Sequence, residues 1–313
     1  MTLFDLHCDT PLELYRRQES LVNGNCHISL DRAQIYAPYG QIMAVWSDKA
    51  LDDDTAYRQY HRISDALLRQ IDAERSRVMI CRTANDLHAA WENEKTAIFL
   101  AVEDARLLGG EIDRLPVLHA RGVRFLTLTW GGASCIGGAH DTDCGLTAFG
   151  REVVEQCFAT GIIPDLSHAS DATFDDVIVI AQHQNKPVIA THSNARAVCP
   201  HRRNLTDAQF CAIRDLGGIV GISLCPPHLH ENGDMASVED VVQHIEHYLD
   251  LGGAHTVALG ADLDGTSLPN GFGGIEDIAK IADALAQRGH SDDSIAQIFS
   301  GNVIRFLENN LHA

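Results

Sequence analysis

The sequence predicts a single-domain (β/α)8 barrel, and three observations support this fold class. Eight short apolar runs alternate with eight segments of helical periodicity along the 313 residues. Runs such as AIFLAV and TVALGA are apolar almost throughout, which is typical of parallel strands buried on both faces. The length also suits a barrel, which commonly takes about 250 residues and more with insertions. A closed barrel is therefore favoured over an open doubly wound sheet, with residues 1–313 as one domain.

The elements follow from the hydrophobic pattern, taken in order along the chain. Apolar runs predict strands at residues 3–6, 41–46, 97–102, 123–129, 161–167, 187–191, 218–224 and 256–261. Segments of period 3.6 predict helices at residues 53–74, 85–94, 112–121, 148–160, 171–184, 207–215, 238–251 and 275–287. Ser170 or Asp171 caps the helix between the fifth and sixth strands, and Pro187 ends its connection. The tail, residues 292–311, is expected to add one or two helices packed outside the barrel.

Composition narrows the classes of function. The chain is 45% hydrophobic and 21% charged, and its formal net charge is −19. This acidity argues against nucleic acid or an anionic membrane as partner, because both require basic patches. No apolar run is long enough to span a membrane, and no signal-peptide pattern precedes the first strand. We therefore expect a cytoplasmic location, in which the nine cysteines, an odd number without a C-x-x-C pair, stay reduced. A homodimer is left open.

Metal-capable side chains follow five of the predicted strands, at the ends that meet on one face of a barrel. They are His7 and Asp9, Glu103, His168, His192 and Asp262. Each histidine alone, among seventeen in the chain, is as readily a hydrogen-bonded core residue as a ligand. Buried carboxylates among apolar strands, however, cost several kcal/mol each unless they are paired or bound to metal. The mixed nitrogen and oxygen set predicts a metal centre, with zinc as the favoured ion.

Seven motifs, in this order and spacing, resemble the renal (membrane) dipeptidase family of binuclear zinc peptidases. They are DLHCDTP, AVED, LTLTW, GLTAFGREVV, PDLSHAS, PVIATHSNARAVCPHRRN and LGADLDG, and they cover nearly the whole chain. The resemblance implies a barrel of the amidohydrolase, metal-dependent hydrolase type, with two Zn2+ ions per chain. It implies that His7 and Asp9 bind one ion, that His168 and His192 bind the other, and that Glu103 bridges both. It further implies Asp262 as the catalytic acid/base and Arg203 as the group that holds the substrate carboxylate.

One position departs from the family pattern. Where LTLTH would supply a histidine that polarises the scissile carbonyl, this chain has Trp130. An indole N–H can donate a hydrogen bond, so we expect the substitution to affect the substrate range more than the chemistry. His140, in the following glycine-rich loop, is a candidate substitute, although a solvated loop histidine is the favoured interpretation.

Several other residues could be given a functional role, but for most of them a structural role is favoured. His228 and His230 form an H-x-H pair beyond two prolines, in a loop predicted to be irregular. His244 and His247 are expected on the solvated face of an outer helix. Arg202 is the alternative carboxylate binder to Arg203, and Asp264 is expected to fix the loop that carries Asp262. The Gly131-Gly132 and Gly137-Gly138 pairs lack a phosphate-binding context and indicate loop flexibility.

The leading hypothesis is a zinc dipeptidase that cleaves dipeptides with a free C-terminal carboxylate, using a hydroxide bridging the two metals. The alternative is a zinc amidohydrolase acting on another small amide or lactam, because fold alone does not fix the substrate. A third hypothesis is a metal-stabilised binding protein without turnover. The presence of Asp262 argues against it, since a structural zinc site needs no general base.

Overall fold

The computed structural model describes residues 1–312 as a parallel barrel with helices around it. The strands are β1 (Leu3–Cys8), β2 (Tyr39–Trp46), β3 (Val78–Ile80), β4 (Thr96–Glu103), β5 (Val123–Thr127), β6 (Ile163–Asp165), β7 (Ile189–Ala190), β8 (Ile219–Ile222) and β9 (Val257–Leu259). Every pairing is parallel. Because β1 pairs with both β2 and β9, and β2 pairs with β4, the ring closes on itself. The predicted eight-stranded barrel is confirmed.

The additional strand, β3, was not predicted. Its three residues pair with the first residues of β4, outside the closed ring. Such a short run, between Arg77 and Arg82, carries too little periodicity to stand out from a loop.

The helices are α1 (Thr10–Arg17), α2 (Asp53–Ala73), α3 (Ala84–Glu92), α4 (Arg114–Ala120), α5 (Ala148–Thr160), α6 (Asp171–Gln184), α7 (Asp207–Asp215), α8 (Pro226–Leu229), α9 (Val238–Asp250), α10 (Ala279–Gln287), α11 (Asp292–Ala296) and α12 (Asn302–Asn310). Two of them, α1 and α8, were not expected from the sequence. Both begin with proline in the first turn, a position that tolerates proline because its missing N–H has no helical partner. The expected cap at Ser170 is confirmed, since its side chain accepts from the backbone N–H of Thr173.

The tail does more than pack outside the barrel. From α12, Val303, Phe306 and Leu307 belong to the same buried apolar cluster as the inward residues Phe4 and Phe99. The helix therefore closes the end of the barrel where the strands begin. The opposite end, where the strands finish, is left to polar side chains. Within residues 1–312, no helix combines the length and the apolar character needed to cross a bilayer.

Candidate metal centre

Six predicted ligand and acid/base residues come together where the strands end. His7 lies in β1 and Asp9 follows it, Glu103 is the last residue of β4, and His168, His192 and Asp262 lie two or three residues beyond β6, β7 and β9. Five of the six residues are buried, and the side chain of His168 is 12% exposed. His168 and Asp262 have φ angles of 69° and 60°, in the left-handed region that non-glycine residues rarely adopt. Backbone strain of this kind concentrates at functional sites.

Glu103 lies at the centre of this group. Its Oε1 is 3.0 Å from Nε2 of His168 and 3.5 Å from Nε2 of His192. Its Oε2 is 3.7 Å from Nε2 of His7, which is also 3.7 Å from Oδ2 of Asp9. The two oxygens of one carboxylate therefore face two different sets of donor atoms. Three overlapping triads have ligand atoms within 4.8 Å of one another: His7, Asp9 and Glu103; Glu103, His168 and His192; and His7, His192 and Asp262.

The arrangement of these donor atoms suits metal coordination better than hydrogen bonding among themselves. Nε2 of His7 and Oδ1 of Asp9 are buried, and neither makes a hydrogen bond within the described residues. The 3.7 Å separations exceed hydrogen-bonding distance, and buried polar atoms without partners are costly. Nε2 of His168 lies only 2.9 Å from Nε2 of His192, so a cation between them would satisfy both nitrogens.

Burial and mutual charge shift the pKa values within this group. Burial raises the pKa of Glu103 to about 7, with the Asp9 carboxylate adding to the effect. Burial likewise raises the pKa of Asp262 well above its ordinary value. For His7 burial acts in the opposite direction, but Glu103 and Asp9 together raise its pKa well above normal. Burial lowers the pKa of His168 and His192 well below normal. Bound cations would favour the deprotonated ligands, so metal binding would release protons.

A cavity of about 340 Å³ opens onto the ligand group. It is lined by Asp9, Lys49, Glu103, Trp130, Gly131, His140, Asp141, His168, Arg203, Cys225, His228, Asp262, Gly265 and Thr266. Sequence reasoning missed Lys49, Cys225 and Thr266, because single residues in loops carry no motif signal. A larger cavity of about 560 Å³ lies around Tyr36 and Trp91, where the strands begin, and holds none of the ligand residues. The smaller cavity is therefore the relevant one.

Arg203 is a buried cation in the wall of the cavity. It is 3% exposed, and its Nη1 and Nη2 donate to Ser193 Oγ and to the carbonyl oxygen of His192, both at 2.9 Å. Its Nε makes no hydrogen bond, and no carboxylate within residues 1–312 lies within 4.0 Å of the guanidinium. Arg202, the alternative considered from the sequence, is exposed and pairs with Asp143. Of the two neighbouring arginines, only Arg203 lines the cavity.

Trp130 forms an aromatic wall beside the ligands. Its ring lies 4.8 Å from the ring of Trp46 and 6.0 Å from that of His168, and Nζ of Lys49 lies 5.8 Å from its centroid. His140 was expected to be a solvated loop histidine, and it does lie in the loop, but it is half-buried there. His140 lines the cavity, and its backbone N–H donates to the carbonyl oxygen of His168 at 2.7 Å. Burial lowers its pKa to about 4.

Three other histidines singled out from the sequence, His228, His230 and His244, lie outside the ligand group. Among the described residues, His228 and His230 lie outside all three metal-capable triads, but His228 lines the cavity and burial lowers its pKa to about 2. The solvated position expected for His244 is wrong, because it is 0% exposed. Its Nδ1 accepts from the backbone N–H of Ala195, and its Nε2 faces the carbonyl oxygen of Leu229 at 3.1 Å. The helical pattern of α9 in the sequence did not reveal that the face carrying His244 is buried.

Asp264 has the loop-fixing position expected of it. Its carboxylate accepts from Thr10 Oγ1 at 2.5 Å and from the backbone N–H of His27 at 2.6 Å. It therefore ties the turn after Asp9 to the turn that carries Asp262.

Comparison with known proteins assigns the family. Residues 1–312 match the model of the membrane dipeptidase family, peptidase family M19. The chain belongs to this family. The M19 family consists of metal-dependent dipeptidases, so the predicted reaction class, hydrolysis of dipeptides by a metallopeptidase, is confirmed.

Three relatives illustrate the similarity. The crystal structure of dipeptidase AC, an M19 metallopeptidase, superposes with a TM-score of 0.93 at 29% identity and covers 100% of this chain and 99% of its own. A Rhodobacter sphaeroides metallopeptidase, liganded with a phosphinate mimic of the dipeptide L-Ala-D-Ala, gives a TM-score of 0.91 at 28% identity, with 99% of both chains covered. Dipeptidase tcpJ of Claviceps purpurea is 31% identical over 250 residues, 78% of this chain and 58% of that protein.

Proposed function

We propose that this M19 chain is a binuclear zinc dipeptidase that hydrolyses dipeptides with a free C-terminal carboxylate. In this proposal His7 and Asp9 would hold one ion, His168 and His192 would hold the other, and Glu103 would serve both. Residues 1–313 are proposed to act as one catalytic domain, because α12 shares its buried cluster with the barrel strands.

The position of Glu103 is the observation that carries the proposal. Its Oε1 faces the histidines at the ends of β6 and β7, while its Oε2 faces the histidine of β1. A single-metal site would use one side of this carboxylate and leave the donors on the other side buried without partners. Three histidine nitrogens with carboxylate oxygens form the borderline ligand set that zinc prefers. Two zinc ions bound here would lower the pKa of a water molecule and polarise the scissile carbonyl.

Asp262 is proposed as the residue that moves the proton. It lines the cavity, and its backbone N–H donates to the carbonyl oxygen of His7 at 3.1 Å, which holds the acid beside the ligands. Its carboxylate would take the proton of the attacking water and deliver it to the leaving amine. A carboxyl group whose pKa is raised by burial is a better proton acceptor than an exposed one.

Arg203 and Trp130 are proposed to bind the substrate. The guanidinium of Arg203 is buried without a carboxylate partner, and the substrate's terminal carboxylate would supply one. Trp130 would lie against the substrate beside the metal held by His168. Because one cavity of about 340 Å³ is lined by both groups, a short peptide would be accommodated between the proposed metal ions and the arginine.

Metal analysis tests the proposal. The protein, loaded with zinc and passed through a desalting column, should hold about two equivalents per chain, and chelation should abolish dipeptide hydrolysis. The Glu103→Gln variant should weaken both sites together, whereas His168→Ala should spare the site of His7 and Asp9. One equivalent in fully active protein would contradict the binuclear proposal.

A further inference from the structure

A buried carboxylate outside the ligand set, Asp165 at the end of β6, has all its acceptor positions filled. Its Oδ1 accepts from the backbone N–H groups of Ser167 and Thr191, both at 2.9 Å. Its Oδ2 accepts from the hydroxyls of Thr127 and Thr191, both at 2.6 Å. A carboxylate has about four lone-pair positions, and distances of 2.5–2.7 Å are typical of O–H donors to an ionised acceptor. Both threonine hydroxyls therefore give their single proton to Asp165.

This arrangement fixes what the Thr191 hydroxyl can do toward its other neighbours. Its Oγ1 lies 2.8 Å from Nδ1 of His192 and 3.2 Å from Nδ1 of His7. Since its proton is committed to Asp165, the oxygen can only accept from these rings, and a hydroxyl has two lone pairs for the purpose. The Ser167 hydroxyl is a more distant neighbour at 3.4 Å, and Ser193 Oγ at the same distance gives it another acceptor. Both imidazoles must then carry their proton on Nδ1.

The consequence appears on the other nitrogen of each ring. When the ring is neutral, as a metal ligand must be, a proton on Nδ1 leaves the lone pair on Nε2, the atom that faces Glu103 in both histidines. Nδ1 of His168, in contrast, is buried without a hydrogen-bond partner, so nothing within the described residues fixes that ring in the same way.

We propose that Thr191, oriented by Asp165, is a positioning residue that sets the metal-binding tautomer of one histidine from each of the two metal sites. The inference rests on the proposed function for the identity of the two sites. One hydroxyl thereby couples them, because its loss releases His7 and His192 together. Partners of metal-bound histidines typically contribute 10–100-fold to metal affinity.

The chain offers a matched control in Thr127. It donates to the same oxygen of Asp165 at the same distance of 2.6 Å and is equally buried, but no histidine accepts or donates at its hydroxyl. Thr127→Val and Thr191→Val therefore remove the same bond from the same carboxylate. Only Thr191→Val also removes the acceptor at the two rings, and Thr191→Ser should restore it.

Two measurements test the inference. Zinc affinity is read by competition with a chromophoric chelator, and we expect about 10–100-fold weaker binding at both sites in Thr191→Val, with wild-type affinity in Thr127→Val and Thr191→Ser. Imidazole 15N spectra of the metal-free protein, assigned with His192→Asn, read the tautomer of His192 directly, because burial lowers the pKa of that ring and keeps it neutral. The Nδ1–H form of His192 should dominate in wild type and be lost in Thr191→Val.

The outcomes separate the inference from the proposed function. Equal zinc affinity in Thr191→Val and Thr127→Val, or unchanged ring spectra in Thr191→Val, overturns the role of Thr191 even if wild type binds two zinc ions. A wild type that binds fewer than two ions contradicts the proposed function, and the spectra of the metal-free protein still decide the tautomer of His192.

Discussion

Replacing Arg203 by methionine should abolish discrimination between a dipeptide and its C-terminal amide. A guanidinium has five N–H donors. Ser193 Oγ and the carbonyl oxygen of His192 take one donor each, and the Nε–H has no partner. Three donors therefore remain for a ligand, enough for a bidentate pair with a carboxylate. The methionine side chain fills much of the same volume without any donor.

The magnitude follows from these bonds. Two charge-assisted hydrogen bonds at about 1.5–3 kcal/mol each give about 3–6 kcal/mol. At about 1.4 kcal/mol per factor of ten, wild type should prefer the free dipeptide over its amide by about 10²–10⁴ in kcat/KM. In Arg203→Met that ratio should fall to near one, mainly through a higher KM. Tripeptides cleaved at their first bond should also be poor substrates of wild type, because their carboxylate lies too far along.

The assay is a cycle of two enzymes and two substrates. Because Arg203→Met also leaves Ser193 Oγ and the His192 carbonyl without donors, both substrates suffer that loss and it cancels in the ratio. Arg202→Met is the control, since that neighbour is exposed and pairs with Asp143. Zinc content is measured for each variant. Equal kcat/KM for a dipeptide and its amide in wild type would refute this binding mode and favour an amidohydrolase acting on other small amides.

Three further predictions concern single side chains. Asp262→Asn should keep both metals and lower kcat by about 10²–10⁴, the usual contribution of a positioned acid/base, and normal turnover would show that Asp262 has another role. Trp130→His should change the order of kcat/KM across a dipeptide panel without changing zinc content, and an unchanged order would mean that the ring does not contact substrate. Burial lowers the pKa of His244 to about 4, so its neutral form stabilises the fold above the unfolded pKa of about 6.5, and that contribution is lost as pH falls toward 4. The free energy of unfolding should therefore fall by about 3 kcal/mol more in wild type than in His244→Asn between pH 7 and pH 4, as measured by urea titration, and parallel curves would contradict the assignment.

The sequence by itself determined the barrel and indicated the residues that gather where its strands end. Parallel strands buried on both faces must be apolar along their length, so each of the eight strands in the closed ring was recognisable as an apolar run in the sequence. The short strand β3, which lies outside the ring, was not. The chemistry of such a fold lies where strands end, and His7, Glu103 and His192 lie within two residues of those ends. The motifs around them also indicated the M19 family, because the positions of the barrel strands fix the spacing of these residues along the chain.

Only the tertiary structure decided which polar residues of the loops and outer helices face the cavity or the core. His140 and His244 appeared solvent-exposed from local pattern, and His228 appeared to lie in an irregular loop. His140 and His228 are half-buried in the wall of the cavity, and His244 is fully buried. The same holds for the hydroxyl of Thr191, whose two imidazole neighbours come from β1 and from its own strand end. Local periodicity records which side of an element is apolar. Burial of a polar atom depends on contacts between segments far apart in the chain, and those contacts exist only once the barrel has closed.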